Sequence, residues 1–140
     1  MSKGLYPFGL NHYRSLKFQK LRKLISKNQR KIKVEGAYGS SLSFLLIDIF
    51  SSINQQIFYI SNSKETASYV YSDIVELIGE INCSFLPSNY RNDTKKIKDE
   101  SNIINRSKTI RDILDKETKI IVTYPEAIFE KIPDEKEIDS

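Results

Sequence analysis

Eight residues, Gly36-Ala37-Tyr38-Gly39-Ser40-Ser41-Leu42-Ser43, crowd two glycines and three serines ahead of a long apolar stretch. Glycines and hydroxyls at the start of a helix suit phosphate. Backbone N–H groups and the positive helix end converge on an anion there. The nucleotide-binding form of such a loop runs glycine, four residues, glycine, lysine, then serine or threonine. Gly36 stands at the first glycine and Ser43 at the hydroxyl position, but Ser41 replaces the second glycine and Leu42 the lysine. The lysine is the group that pairs with the outer phosphates. Leucine has neither charge nor donor, and it belongs to the apolar stripe of the helix that follows. Two readings stay open: a tight strand-to-helix turn with no ligand, which a glycine-rich turn alone favours, and a residual phosphate site.

Other chemistry is sparse. One cysteine, Cys83, cannot make an internal disulfide, and one histidine with one cysteine cannot build a His/Cys zinc site. A Ser-His-Asp or Cys-His arrangement would have to use His12, in a basic leader. Asp73, Glu76 and Glu80 recur at helical spacing and read as the solvated side of a helix. Asp48 lies within an apolar helix with no visible partner. Arg106 sits on a helix rich in Asn, Ser and Lys, where an exposed ion pair is the ordinary role. No acidic pair follows an apolar strand to hold magnesium. No catalytic residue and no metal ligand is assigned.

The elements that position the loop follow from periodicity. From about Arg14 to Lys27, Phe18, Leu21, Leu24 and Ile25 share one helix face opposite Lys and Arg. Lys31-Ile32-Lys33-Val34 alternates and predicts a first strand. Leu42, Leu45, Leu46, Ile49, Phe50 and Ile53 then mark a largely buried helix. Ile57-Phe58-Tyr59-Ile60 is a continuous apolar run, which predicts a strand covered on both faces. Ser61-Asn62-Ser63 can cap the start of a second amphipathic helix, for which Gly79 is a stop. Cys83–Leu86 is a short strand, 88–100 a loop, 101–114 a helix and 119–122 a strand. Pro125 opens a last short helix.

Alternation of this kind predicts an α/β fold with a mostly parallel sheet of four strands, near 31–35, 56–61, 82–86 and 118–123, and helices on both faces. The expected core is Leu45, Leu46, Ile49, Phe58, Ile60, Val70, Ile74, Ile121 and Val122. Three parts are expected: a basic leader and helix over 1–30, the α/β domain over 31–133, and an acidic tail over 134–140.

Length and charge agree with one soluble domain. The chain has 140 residues, 39% hydrophobic and 29% charged, with net charge +4. The charge is uneven. Ten of the 22 bases precede Glu35, from Lys3 to Lys33, and no acid stands among them. Such a run binds nucleic acid or simply solvates a helix face, and the second is the commoner case. No apolar run reaches the roughly 18–20 residues of a membrane span, and the start lacks the apolar stretch of a signal peptide. The expected compartment is the cytoplasm.

Three segments carry a family resemblance. They are Val34-Glu35-Gly36-Ala37-Tyr38-Gly39-Ser40-Ser41 running into an apolar helix, Ile103-Ile104-Asn105-Arg106-Ser107 leading into Ile110, and Ile120-Ile121-Val122-Thr123-Tyr124-Pro125-Glu126-Ala127-Ile128. In order and spacing they resemble the first domain of the bacterial transcription-repair coupling factor, which is similar to the first motor domain of the excision-repair protein UvrB. The likeness spans about Ile32 to Ile132. The segment Leu86-Pro87-Ser88-Asn89-Tyr90 and the Lys-rich loop after it depart from the family pattern.

The resemblance implies a three-layer, P-loop-NTPase-like fold of the RecA and UvrB kind, with a degenerate loop at Gly36, Gly39, Ser40, Ser41, Leu42 and Ser43 that binds no cofactor. It implies an N-terminal, non-enzymatic fragment that acts as a scaffold beside a UvrA-recruiting domain. ATP, magnesium, RNA polymerase and DNA would be bound by later domains of a parent translocase of helicase superfamily 2, and no membrane is involved. The alternative from another class is a small nucleic-acid-binding module that uses the basic leader.

Overall fold

The computed structural model describes residues 16–90 and 97–132. The basic leader up to residue 15, residues 91–96 of the expected loop at 88–100, and the tail from 134 lie outside them. The elements in order are α1 (Leu16–Ser26), α2 (Ser40–Ile53), β1 (Ile57–Ile60), α3 (Lys64–Ile78), β2 (Cys83–Phe85), α4 (Glu100–Leu114), β3 (Ile120–Thr123) and α5 (Pro125–Phe129). A 3-10 turn over Glu80–Asn82 links α3 to β2.

Local chemistry sets the helix ends. The Ser63 hydroxyl accepts from the Thr66 N–H at 3.2 Å and starts α3. Asp99 does the same for α4, accepting from the Asn102 N–H at 3.2 Å. Gly79 ends α3 at φ 85°, its N–H donating to the Val75 carbonyl. Pro125 opens α5, where its missing N–H costs nothing.

The three strands form one parallel sheet in the order β1-β3-β2, with Ile57 and Cys83 both in register with Ile120. The path from β1 to β2 crosses the sheet and the path from β2 to β3 comes back. Two crossovers of one hand running in opposite directions must put their helices on opposite faces. They do: α3 and α2 cover the face of Ile120 and Val122, and α4 covers the face of Ile121. The protein is thus a mixed α/β fold with a small open sheet.

Most of the core lies on the first face. Leu46, Ile47 and Phe50 of α2 meet Ala67, Val70 and Ile74 of α3 over Ile120, Val122, Cys83 and Tyr124. Among the described residues, the apolar cluster on the second face is smaller: Leu86, Ile110 and Ile121, with Ile113 against them. β3 is buried at all four positions because it alone has neighbours on both edges and helices on both faces.

Three expectations need correction. Residues 31–35 are not a strand. Ile32 and Val34 line a cleft beside α1 and α2, so the apolar contact they gain comes from helices and needs no backbone pairing. β1 is covered on one face only. Ile57 and Tyr59 pack into the core, whereas Phe58 is 49% and Ile60 56% exposed, because α4 lies over Ile121 and Leu86 and does not reach the edge strand. Ile49 is half-buried, at the margin of its stripe.

α1 is tied to α2 through Arg22. Its Nε donates to Asp48 Oδ2 at 3.0 Å and its Nη2 donates to Oδ1, a bidentate fork on a carboxylate with no exposed surface. Asp48, without a visible partner in the sequence, is therefore the anchor of the first helix.

Candidate functional site

The loop Gly36–Ser43 joins the irregular segment 31–35 to α2. Gly36 has φ 84° and Gly39, the residue before α2, has φ 54°. A Cβ at either would meet nothing within 4 Å, so glycine is needed for the backbone angle and not for room. The Ser41 N–H donates to the Tyr38 carbonyl and the Leu42 N–H to the Gly39 carbonyl, both at 3.1 Å. Two of the donors that would cradle a phosphate are thereby engaged within the turn itself.

The side chains point away from phosphate chemistry too. Leu42 packs on the core of α2 and α3. Ser43 is fully buried, and its hydroxyl donates to Asp73 Oδ2 on α3 at 3.2 Å. The hydroxyl that would ligate magnesium in a working loop joins two helices here. Ser40 and Ser41 are exposed, as is Tyr38. With no cation and no free inward hydroxyl, the residues do not fit the triphosphate and magnesium of a nucleotide site. Among the described residues no group of three or more His, Cys, Asp or Glu is placed to hold a metal ion.

Beside the loop lies a cleft of about 600 Å³ between α1, residues 32–37 and the start of α2. Phe18, Leu21, Leu24, Ile32 and Leu45 make it largely apolar, with Lys20 and Lys33 among its polar residues. It joins the loop to the basic helix but brings no carboxylate pair or nucleophile together.

In open parallel sheets ligands sit outside the carboxyl ends of the strands. Here that position between β2 and β3 is filled by Arg106. This side chain comes from α4, is 2% exposed, and donates from Nη1 to the Pro87 carbonyl at 2.9 Å and to the Ala127 carbonyl at 2.8 Å. Nη2 donates to the Glu130 carbonyl at 3.1 Å. Around it, the Tyr124 hydroxyl accepts from the Ser88 N–H at 2.9 Å, and the Glu130 carboxylate accepts from the Asn89 N–H. Burial lowers the pKa of Arg106, and Glu130 and Tyr124 work the other way. The arginine remains charged. Its Nε is buried without a partner among the described residues, which offsets part of the gain from the three bonds. Arg106 is thus no exposed ion pair but a staple between the loop after β2 and the helix after β3.

Ser84, Asp112 and Lys119 form a second cluster that was not legible in the sequence. Lys119 Nζ donates to Asp112 Oδ2 at 3.0 Å, and the Ser84 hydroxyl donates to the same oxygen at 3.1 Å. Burial works to lower the lysine pKa, but hydrogen bonds and charge from Asp112 and Glu117 outweigh it and raise it. A protonated lysine cannot take a proton from serine, so the trio is an ion-pair staple and not a Ser-Lys nucleophile. The three residues are 28 and 7 positions apart, which no motif would group.

Cys83 is buried in β2, where burial pushes its thiol up to about 12 against a pull from Lys119. It is an inert core residue. Among the described residues no helix is long and apolar enough to cross a membrane. Compared with known proteins, the chain matches no protein-family model and no curated protein.

Proposed function

We propose that this chain is a nucleotide-inactive scaffold domain of a transcription-repair coupling factor, with a UvrB-like, P-loop-NTPase-like fold. One observation carries the reading: the Gly36–Ser43 turn leads into α2 through two glycines at positive φ, as a phosphate loop would, while its Leu42 and Ser43 serve helix packing. A loop of that origin, kept for structure, is what a scaffold descended from a motor domain would carry. Two further resemblance segments support it by meeting in space. Arg106 of the second reaches the Ala127 carbonyl of the third.

In this reading the domain has no catalytic residue and no cofactor. It holds the neighbouring UvrA-recruiting domain of a cytoplasmic parent, whose later domains bind RNA polymerase, DNA, ATP and magnesium and drive translocation.

The test is co-purification. The gene is tagged at its chromosomal locus, and its natural product is recovered from cells with stalled transcription. UvrA and RNA polymerase should accompany it, and residues 1–140 expressed alone should bind UvrA weakly or not at all. Recovery of neither protein with the natural product sinks the assignment. Equal UvrA affinity for both forms moves the contact onto this domain.

A further inference from the structure

We propose that the outward face of α1 and the turn that follows it is a docking surface for the phosphate backbone of duplex DNA. Lys20, at the rim of the cleft, Lys23 and Lys27 stand at i, i+3 and i+7, all exposed, and Arg30 and Lys31 continue the same run. Over residues 16–34 there is no acid, and Glu35 is already paired with Lys33 at 2.6 Å.

The face is held rigid in two ways. On its inner side Leu21 is buried, and Arg22 is clamped on Asp48, so α1 cannot roll to bury its lysines. At its end the Asn28 N–H donates to the Ile25 carbonyl at 3.0 Å and the Gln29 N–H to the Leu24 carbonyl at 3.3 Å, with Asn28 at φ 55°. That pair of bonds is a Schellman cap with asparagine in the left-handed position. It fixes the direction of the chain that carries Arg30 and Lys31. The bases are thus a set array and not a loose tail.

The geometry selects the partner. From Lys20 to Lys27 the helix rises about 10 Å, the axial length of roughly three phosphates of one DNA strand. Among the described residues the face carries no aromatic side chain, and single-strand binders need such stacking platforms. It has no apolar anchor of the kind that centres a protein interface. The apolar side of α1 is turned toward α2, so the helix has nothing to insert into a bilayer. Point charges on a rigid rod remain, and these suit a duplex backbone without sequence preference.

The experiment uses the 140-residue chain and a fluorescein-labelled 20-base-pair duplex of arbitrary sequence, read by anisotropy. At 50 mM salt the dissociation constant should be on the order of 10 μM, and about four displaced counterions should weaken it roughly a hundredfold by 200 mM. Lys20→Gln/Lys23→Gln/Lys27→Gln/Arg30→Gln should lose at least about tenfold at 50 mM. Lys98→Gln/Lys108→Gln/Lys116→Gln/Lys131→Gln removes the same charge from elsewhere and should lose less than about threefold. Matching urea midpoints establish that both variants are folded. Equal losses in the two variants, or no binding by the unchanged chain at 50 mM, overturn the proposal. So does poly-glutamate that competes as well as DNA, or single-stranded DNA bound about tenfold more tightly.

Discussion

Arg22 and Asp48, 26 residues apart, form a two-point ion pair in which the carboxylate is wholly buried and the guanidinium 30% exposed at the side chain. The pair converts a basic helix that would otherwise ride on solvent into a fixed part of the α2 face. Removing the arginine leaves a buried charge with its strongest partner gone. Arg22→Ala should cost about 2–3 kcal/mol in urea unfolding. Arg22→Ala/Asp48→Ala should cost clearly less than the sum of the two single changes, since the second removes the orphaned charge. Additive losses would show that the two side chains are not coupled.

Arg106→Lys tests the staple at the carboxyl end of the sheet. A lysine keeps the charge but cannot span the carbonyls of Pro87, Ala127 and Glu130 with a planar fork. We expect a loss of about 2–4 kcal/mol. A stability within about 0.5 kcal/mol of the parent would mean that the fork on the three carbonyls adds little to the fold.

For nucleotide, calorimetric titration with ATP and magnesium should give no measurable heat of binding. Leu42→Lys should not create a site, because the Ser43 hydroxyl remains committed to Asp73. It should lower stability, since Leu42 packs on the core. A dissociation constant below about 100 μM for the unchanged chain, near −5.5 kcal/mol, would establish a working site.

The thiol of Cys83 gives a pH signature. Its folded pKa is raised to about 12 from 9.0, so the unfolded chain loses this proton first as pH rises. The stability tied to the neutral thiol is whole below pH 9 and is lost between 9 and 12, at up to about 1.4 kcal/mol per pH unit. Denaturation of the parent and of Cys83→Ala from pH 7 to 11 should therefore converge as pH rises. A constant gap between them would mean that the thiol is not protected. At pH 8 it should react with a thiol reagent only after urea is added.

The two faces of the sheet should answer differently to truncation. Ile121→Ala should cost about 2–5 kcal/mol. Ile60→Thr keeps a β-branched residue on the uncovered side of β1 and should cost less than about 1 kcal/mol. Similar losses would mean that Ile60 is packed after all.

Helices were the legible part of this chain. The stripes from Leu42 to Ile53 and from Ala67 to Ile78, with the run Ser61-Asn62-Ser63 and Gly79 at the ends of the second, foreshadow α2 and α3 closely; of the run, Ser63 makes the cap. Strand neighbours were harder. An apolar run such as Ile57–Ile60 reports a preference for extended backbone, but not whether a helix will lie over each face. Phe58 and Ile60 are open because α4 is committed to β2 and β3. Residues 31–35 alternate like a strand, yet pairing depends on an available edge, which periodicity does not encode. At the candidate loop, the substitution of Leu42 for a cation was readable directly. The commitment of Ser43 to Asp73 and of Asp48 to Arg22 was not, because each joins residues 26–30 apart across two helices.

The sheet order sets a schedule for synthesis. Among the described strands, β1 and β2 each bond only to β3, and β3 is the last of the three to be made. While a ribosome makes this protein, neither earlier strand has a partner until residues 120–123 leave the exit tunnel. From Ile60 to Ile120 translation takes roughly 3–12 s at about 5–20 residues per second. During that interval α2 and α3 can form and pair, but the apolar strand Ile57–Ile60 waits with both edges open. A nascent chain stalled before residue 120 lacks the one strand to which both β1 and β2 are bonded.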